Sequence, residues 1–119
     1  MVAVTGHRSG TVEPLTATVS LSVVICCYTA DRRAELARAV DSVLAQICVG
    51  DELIVVVDGN EELYRELCDS APPRTVVLAN AATRGLSGAR NTGLRAASGD
   101  VVVFLDDDAA LHPAALAGG

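Results

Sequence analysis

Lysine is absent from the sequence, and all nine basic residues are arginine. The P-loop of phosphate-binding enzymes ends in a lysine that contacts the phosphates, so this class is excluded. The arginines form no cluster and the formal net charge is −6, which argues against nucleic acid or an anionic membrane as the main partner. No apolar run approaches the length of a membrane span, and the N-terminus lacks the long apolar core of a signal peptide.

Cysteine is sparse, and its spacing indicates neither metal binding nor redox chemistry. The four cysteines form no C-x-x-C pair; they are Cys26, Cys27, Cys48 and Cys68. We therefore expect buried free thiols in a reducing compartment. The expected location is the cytoplasm, including a peripheral position at the inner face of a membrane.

The chain has 119 residues, half of them hydrophobic, which is enough for one domain with a core. Residues 1–18 contain Gly, Thr, Pro and His with no hydrophobic period, and we interpret them as a loose leader. The expected division is therefore a leader over residues 1–20 and a single domain over residues 21–119.

Beyond the leader, apolar runs alternate with segments of helical character. The runs predict buried strands at residues 21–27, 53–57, 75–78 and 101–105. The first segment between them predicts an amphipathic helix that follows capping side chains at 29–31, with its apolar positions between 36 and 47 and with Arg32 and Arg33 among its polar residues. The other segments predict helices at residues 61–68 and 87–97, the last with Ser87 as its N-cap. This order predicts a Rossmann-like α/β fold with a mainly parallel sheet, flanking helices and right-handed crossovers.

The last apolar run stops on three consecutive carboxylates, Asp106, Asp107 and Asp108. The carboxyl ends of parallel strands share one edge of the sheet, where open α/β sheets bind ligands. Adjacent acids repel one another unless a cation or hydrogen-bond donors lie among them, and Mg²⁺ is often held by carboxylates together with substrate phosphates. The triplet therefore predicts a metal site, with a solvated acidic turn as the alternative.

Other polar residues are expected at the same edge. Tyr28 and Asp58 follow the first two runs, and the third run leads to a loop and a helix that carry Arg84 and Arg90. Carboxylates, a metal and arginines suit a diphosphate, which the N–H groups at the start of the helix would also attract. Each residue alone also has a structural explanation, namely core packing for Tyr28, an Asp-Gly turn for Asp58 and surface charge for the arginines. Their convergence on one edge favours a site.

A dinucleotide-binding domain is a competing interpretation of this pattern. Such domains place the spacing G-x-G-x-x-G directly after their first strand. Here Gly85, Gly88 and Gly93 are spaced G-x-x-G-x-x-x-x-G, and the first run is followed by Tyr-Thr-Ala-Asp. The glycine spacing therefore argues against this class.

Several phrases occur in a recognisable order. They are the strand and turn at 22–29, Ser-Val-Leu-Ala-Gln at 42–46, Val-Asp-Gly-Asn at 57–60, the glycine- and arginine-containing phrase at 84–94, and the strand with an Asp-x-Asp signature at 101–108, followed by His112-Pro113. This order resembles the nucleotide-binding half of family 2 glycosyltransferases, which have the GT-A fold. The resemblance extends from about Leu21 to the C-terminus.

The resemblance implies a donor site for a nucleotide-diphosphate-sugar, usually a UDP-sugar, and inverting transfer of the sugar to an acceptor that the sequence does not identify. Asp58 would contact the base. Asp106 and Asp108 would hold Mg²⁺ or Mn²⁺, with Asp108 as the direct ligand. The residues implied at the donor site are Cys26, Cys27, Tyr28, Asp58, Arg84, Arg90, Asp106 and Asp107.

The sequence also departs from the family pattern. Cys26 and Cys27 replace the usual Pro and Thr, and Val57 replaces the first Asp of an Asp-Asp pair, which puts the identity of the base in question. Because such enzymes place the acceptor half and the general base after the Asp-x-Asp strand, we expect a truncated donor-binding portion. The last strand would then present an exposed apolar edge, which predicts self-association. A non-catalytic nucleotide-sugar-binding module, or an inactive remnant, is the alternative function.

Overall fold

The computed structural model describes residues 2–7, 20–80 and 85–107. The strands are β1 (Val2–His7), β2 (Leu21–Cys27), β3 (Glu52–Asp58), β4 (Thr75–Asn80) and β5 (Val101–Asp106). The helices are α1 (Arg33–Leu44), α2 (Glu61–Ser70) and α3 (Leu86–Ala96), and a short 3₁₀ helix, Ala30–Arg32, precedes α1. None of the described helices is long and apolar enough to cross a membrane. All the predicted strands and helices are present, with small shifts at their ends.

The strands form one sheet in the order β1-β5-β2-β3-β4. β2 lies in the middle and pairs in parallel with both β3 and β5, and β4 pairs in parallel with β3. The prediction of an α/β fold with a mainly parallel sheet is thereby confirmed. Since these four strands run in one direction, their last residues lie along one edge of the sheet; they are Cys27, Asp58, Asn80 and Asp106.

Strand β1 differs from the expected loose leader. Residues 2–7 pair antiparallel with β5, with Val2 opposite Leu105 and an irregular register between Thr5 and His7. The side of β5 away from β2 would otherwise present unpaired N–H and C=O groups, and β1 supplies partners for them. The short segment has no periodic pattern that predicts a pairing some hundred residues away along the chain. With β1 in place, β5 is not an edge strand, and the self-association predicted through that edge loses its basis.

Helices cover the sheet on both faces. Alternate strand residues point to opposite faces, so Val23 and Ile25 pack in the cluster with α1 and α2, whereas Val24 packs in the cluster with α3. Because both faces are buried, the strands consist almost entirely of apolar residues, as parallel strands usually do. Gly93 allows α3 to approach closely, since a Cβ atom there would lie 2.4 Å from Cγ1 of Val24.

The start of α3 also differs from the prediction. The helix begins at Leu86 with Gly85 as its N-cap, not with Ser87. Gly85 has a φ of +106°, in the left-handed region that favours glycine. Its N–H donates a hydrogen bond to Oδ2 of Asp58 at 2.9 Å. The tertiary contact with Asp58 therefore anchors the chain before Ser87, whose own hydroxyl is not needed as a cap.

Candidate functional site

A pocket of about 430 Å³ opens at the carboxyl edge of the sheet, between the ends of β2, β3 and β5 and the start of α3. Seven residues that the sequence predicted for a donor site line this pocket: Cys26, Cys27, Tyr28, Asp58, Arg90, Asp106 and Asp107. The other two predicted residues, Arg84 and Asp108, lie outside the described residues. The fold therefore brings the described candidates together, and their role in binding a donor stays a prediction.

Asp58, the last residue of β3, joins three elements at the pocket wall. Its Oδ1 accepts a hydrogen bond from Nδ2 of Asn80 at 2.7 Å, and its Oδ2 accepts one from the N–H of Gly85 at 2.9 Å. The Asp-Gly turn was the structural alternative for this residue, and Asp58 does support the local structure. It is nevertheless only half-buried and lines the pocket, so its carboxylate also remains in reach of a ligand.

The acids that follow β5 lie against the loop that follows β2. Asp107 is only 5% exposed, and its Oδ1 accepts a hydrogen bond from the guanidinium of Arg32 at 3.1 Å. Its Oδ2 is buried and has no hydrogen-bond partner within the described part of the chain. A buried carboxylate oxygen without a partner is costly, so this atom is a candidate for contact with a group that the free chain lacks.

Tyr28 does not belong to the core, which was its alternative interpretation. Its side chain is 57% exposed at the pocket mouth. Its backbone C=O accepts a hydrogen bond from Nδ2 of Asn60, whose Oδ1 in turn caps the start of α2. The Cζ atom of Arg32 lies 6.0 Å from the centre of the Tyr28 ring. An exposed aromatic ring beside a cation is suited to stacking on a planar ligand.

The two adjacent cysteines, Cys26 and Cys27, are the more buried of the four free cysteines; Cys48 and Cys68 are exposed, so the prediction of buried thiols is wrong for those two. Burial raises the pKa of the Cys26 thiol to about 11, with Asp58, Asp106 and Asp107 raising it further and the Arg90 guanidinium lowering it. Burial raises the pKa of the Cys27 thiol to about 12, with smaller contributions from Asp107 and Cys26. The Cys27 thiol also donates a hydrogen bond to the C=O of Val56 at 3.7 Å.

Arg90 is the second cation of the pocket. It lies in the second turn of α3, half-buried, with its Cζ atom 5.7 Å from the centre of the Phe104 ring on β5. The ring packs beneath the guanidinium and limits its freedom, which favours a preorganised contact with an anion. Arg32 and Arg90 thus contribute positive charge to a pocket that also contains three carboxylates.

The comparisons with known proteins agree with this geometry. The model of the family described as "Glycosyl transferase family 2" matches residues 22–118, most of the chain. The chain belongs to glycosyltransferase family 2. The expected resemblance is thereby confirmed.

Curated relatives of this glycosyltransferase chain are longer proteins. It is 39% identical over 97 residues to the glucosyl-dolichyl phosphate glucuronosyltransferase of Haloferax volcanii, which covers 80% of this chain and 31% of the relative. It is 33% identical over 89 residues to the UDP-Glc:alpha-D-GlcNAc-diphosphoundecaprenol beta-1,3-glucosyltransferase WfgD of Escherichia coli, which covers 74% of this chain and 34% of the relative. The chain therefore spans about a third of the length of these two relatives.

Solved structures support the GT-A fold of this glycosyltransferase chain. The mannosyltransferase PcManGT of Pyrobaculum calidifontis, in complex with GDP-Man and Mn²⁺, superposes with a TM-score of 0.66 at 21% identity, covering 89% of this chain and 35% of that one. S. aureus TarS 1-349 superposes with a TM-score of 0.65, also at 21% identity, covering 83% of this chain and 30% of that one. At this identity the likeness concerns the fold alone.

The three consecutive aspartates at 106–108, here called the acid turn, supply the oxygen ligands that a hard divalent cation prefers. Asp106 and Asp107 bring two carboxylates to the pocket, and the buried Oδ2 of Asp107 lacks a partner among the described atoms. Such cations take oxygen ligands from one or two carboxylates together with substrate phosphates. No cluster of three or more potential metal ligands occurs in the described ranges, from which Asp108 is missing.

The sequence analysis missed one functional candidate, Arg32, which it placed among the polar residues of the first predicted helix. The structure ends the 3₁₀ helix at Arg32 and directs its side chain to Asp107 across the pocket. The helical period could not reveal this, because Arg32 belongs to the 3₁₀ helix that precedes α1 and not to α1 itself. The only feature of the sequence that could have indicated Arg32 as a pocket residue is its position shortly after Tyr28, which follows the end of β2.

Proposed function

We propose that this chain is the donor-binding portion of an inverting glycosyltransferase that uses a nucleotide-diphosphate-sugar, with a UDP-sugar as the first candidate. The pocket at the carboxyl edge carries this proposal, because it combines an exposed aromatic ring, two guanidiniums and three carboxylates around about 430 Å³. Since the chain spans about a third of its relatives, the activity of the whole enzyme is part of the proposal.

Each wall of the pocket has a proposed role. The exposed ring of Tyr28 stacks on the base. Each carboxylate oxygen of Asp58 accepts one hydrogen bond within the chain and has a further lone pair, which accepts a hydrogen bond from an N–H of the base. Arg90, and Arg84 outside the described residues, contact the diphosphate or ribose as charged hydrogen-bond donors. Cys26 and Cys27 form the apolar floor under the nucleotide.

The acid turn is proposed to hold Mg²⁺ or Mn²⁺ through Asp106 and Asp108, with Asp107 beside them. A divalent cation bound there would neutralise the charge that develops on the leaving diphosphate. The printed description of PcManGT names GDP-Man and Mn²⁺, which supports metal-assisted nucleotide binding in this fold. The name of WfgD includes UDP-Glc, which supports a uridine nucleotide.

The test is calorimetric titration of UDP into the purified chain, with Mn²⁺ and with EDTA. We expect binding with Mn²⁺ and its loss with EDTA, and loss again in Asp108→Ala. The control is Asp69→Ala, which removes an exposed acid of α2 far from the pocket and should leave the affinity unchanged. A folded chain that binds neither UDP nor GDP with Mn²⁺ would contradict the proposal.

Turnover separates the two functions that remain after binding is established. Release of UDP from a UDP-sugar, or transfer to an added acceptor, would support the enzyme. Binding without either reaction would favour the alternative of a non-catalytic nucleotide-sugar-binding module or inactive remnant. All four cysteines are free thiols, which supports the cytoplasm as the proposed location, including a peripheral position at the inner face of a membrane.

A further inference from the structure

Two neighbouring arginines, Arg32 and Arg33, form ion pairs on different sides of the molecule. Arg33 pairs with Glu66 of α2 at 2.7 Å, where both side chains are about half exposed. Arg32 pairs with Asp107 at 3.1 Å, where the arginine side chain is 44% exposed and the aspartate side chain only 6%. The second pair therefore joins a partly exposed cation to a buried anion.

The Arg32–Asp107 pair leaves half of the buried carboxylate unsatisfied. Arg32 contacts Oδ1, and Oδ2 has no hydrogen-bond partner in the described part of the chain. Arginine and carboxylate commonly form two parallel hydrogen bonds, so a single contact uses only part of what the pair can offer. The Oδ2 atom of Asp107 can therefore still interact with a second positive charge.

We propose that Arg32 is an exchangeable counter-ion, which neutralises Asp107 in the nucleotide-free chain and moves to the diphosphate of the donor when a divalent cation enters the acid turn. The inference rests on the proposed function and deepens it, because it assigns a regulatory and phosphate-binding role to a residue outside the predicted set. Arg32 and a cation held by Asp106 and Asp108 would compete for the negative charge of Asp107, which lies between those two acids in the sequence.

Three observations support an exchange of Arg32 rather than a permanent pair. The guanidinium lines the pocket in which the diphosphate would lie, so its new partner would be within reach of the same side chain. It lies 6.0 Å from the centre of the exposed Tyr28 ring, which would support it in either position. Asp107, in contrast, directly follows β5 and is buried, so we assign the movement to the more exposed arginine.

The electrostatic consequence has a definite sign. A positive guanidinium at the acid turn repels an incoming cation and occupies an oxygen of Asp107, so its removal should strengthen binding of Mn²⁺ alone. The same removal should weaken binding of UDP in the presence of Mn²⁺, because a charged clamp on the diphosphate is lost. A residue that only supports the fold would weaken both.

The experiment measures Mn²⁺ affinity, by electron paramagnetic resonance of the free ion, and UDP affinity at saturating Mn²⁺, by calorimetry. For Arg32→Gln we expect about tenfold tighter Mn²⁺ binding and about tenfold weaker UDP binding. Arg32→Lys keeps the charge but not the planar fork, so Mn²⁺ affinity should stay near that of the unchanged chain while UDP binding weakens about threefold. Arg33→Gln is the matched control and should change neither affinity.

The possible outcomes separate this inference from the proposed function. If the unchanged chain binds UDP with Mn²⁺ but Arg32→Gln weakens or preserves Mn²⁺ affinity, the exchange is refuted and the proposed function stands. If Arg32→Gln does not fold, Arg32→Lys decides, because UDP affinity equal to that of the unchanged chain refutes the exchange. If the unchanged chain binds neither Mn²⁺ nor nucleotide, the proposed function fails and this inference fails with it.

Discussion

Strand β3 begins and ends with a half-buried carboxylate, and the two acids have different surroundings. At the amino end, one oxygen of Glu52 accepts hydrogen bonds from the Ser22 hydroxyl at 2.6 Å and from the N–H and hydroxyl of Ser98 at 2.7 and 2.8 Å. At the carboxyl end, Asp58 accepts one bond on each oxygen and borders the pocket. A carboxylate thus lies within a hydrogen-bond network at the amino edge of the sheet, whereas a carboxylate at the carboxyl edge borders the pocket.

The amino edge continues this pattern of closed contacts. The Ser22 hydroxyl is fully buried and also accepts a hydrogen bond from the N–H of Gly99 at 2.8 Å. Asp51 accepts bonds from the N–H groups of Leu21 and Cys48. At the carboxyl edge, by contrast, Tyr28 is exposed and Asp107 has a buried oxygen without a described partner. The amino edge is therefore a network of satisfied hydrogen bonds, whereas the carboxyl edge has polar groups with unused hydrogen-bonding capacity beside the proposed donor pocket.

The largest effect is expected at Gly99, where the amino edge is most crowded. A Cβ atom there would lie 2.7 Å from the backbone nitrogen of Ser22, which cannot rotate away. Gly99→Ala should therefore lower the free energy of unfolding by about 3 kcal/mol, measured by urea unfolding with circular dichroism. Gly93→Ala tests the same principle in the core, because its Cβ would meet Cγ1 of Val24, a buried β-branched side chain with few alternative rotamers. A loss below about 1 kcal/mol for Gly99→Ala would contradict this explanation.

Truncation of the two β3 acids tests the comparison directly. Glu52→Ala leaves the buried Ser22 hydroxyl and two donors of Ser98 without their acceptor, so we expect a loss of about 2 kcal/mol in the free energy of unfolding. Asp58→Ala exposes its donors to the open pocket, where water replaces the carboxylate, and should cost about 1 kcal/mol. UDP affinity should fall only in Asp58→Ala. A Glu52→Ala chain that folds but loses UDP binding would show that the two edges are not separable.

Asp107→Asn tests whether the acid turn is arranged for binding rather than for stability. The substitution removes a buried charge whose partner, Arg32, is 44% exposed and can be hydrated, so the free energy of unfolding should change by less than about 1 kcal/mol. The affinity for UDP with Mn²⁺ should fall about tenfold, since charge is lost beside the proposed cation. The reverse pattern, with stability lost and affinity kept, would place Asp107 among the structural residues.

The smallest effect concerns alkaline pH and the Cys27 thiol. Burial raises its pKa from the ordinary 9.0 to about 12, so between these values the unfolded chain loses a proton that the folded chain keeps. The contribution is fully present below pH 9 and is lost as the pH rises towards 12. Between pH 8 and pH 10 the free energy of unfolding of the unchanged chain should fall, and we expect this fall to be about 1 kcal/mol smaller in Cys27→Ala. Cys48→Ala, which removes an exposed thiol, is the control, and an identical pH dependence in all three chains would refute the assignment.

Much of this molecule was predictable because its signals are local. Each apolar run between polar turns predicted a parallel strand, and the acids at 106 and 107 and at 58 were correctly expected at one edge of the sheet. The N-cap of α3 was predicted two residues late, at Ser87 and not at Gly85, because the hydrogen bond from Gly85 to Asp58 is a contact between distant parts of the chain. Strand β1 was missed for the same reason, since its pairing with β5 leaves no periodic pattern in six residues.

The order of the parallel strands and the helices between them, the family and the set of candidate acids follow from the amino-acid sequence, because burial on two faces and strand ends leave a repeating local pattern. Only the tertiary structure shows which charges meet across the pocket. Arg32 and Asp107 are 75 residues apart along the chain, and their pairing depends on β2 and β5 lying side by side. The burial of one Asp107 oxygen without a partner likewise arises from packing around the turn, which no local pattern in the sequence encodes.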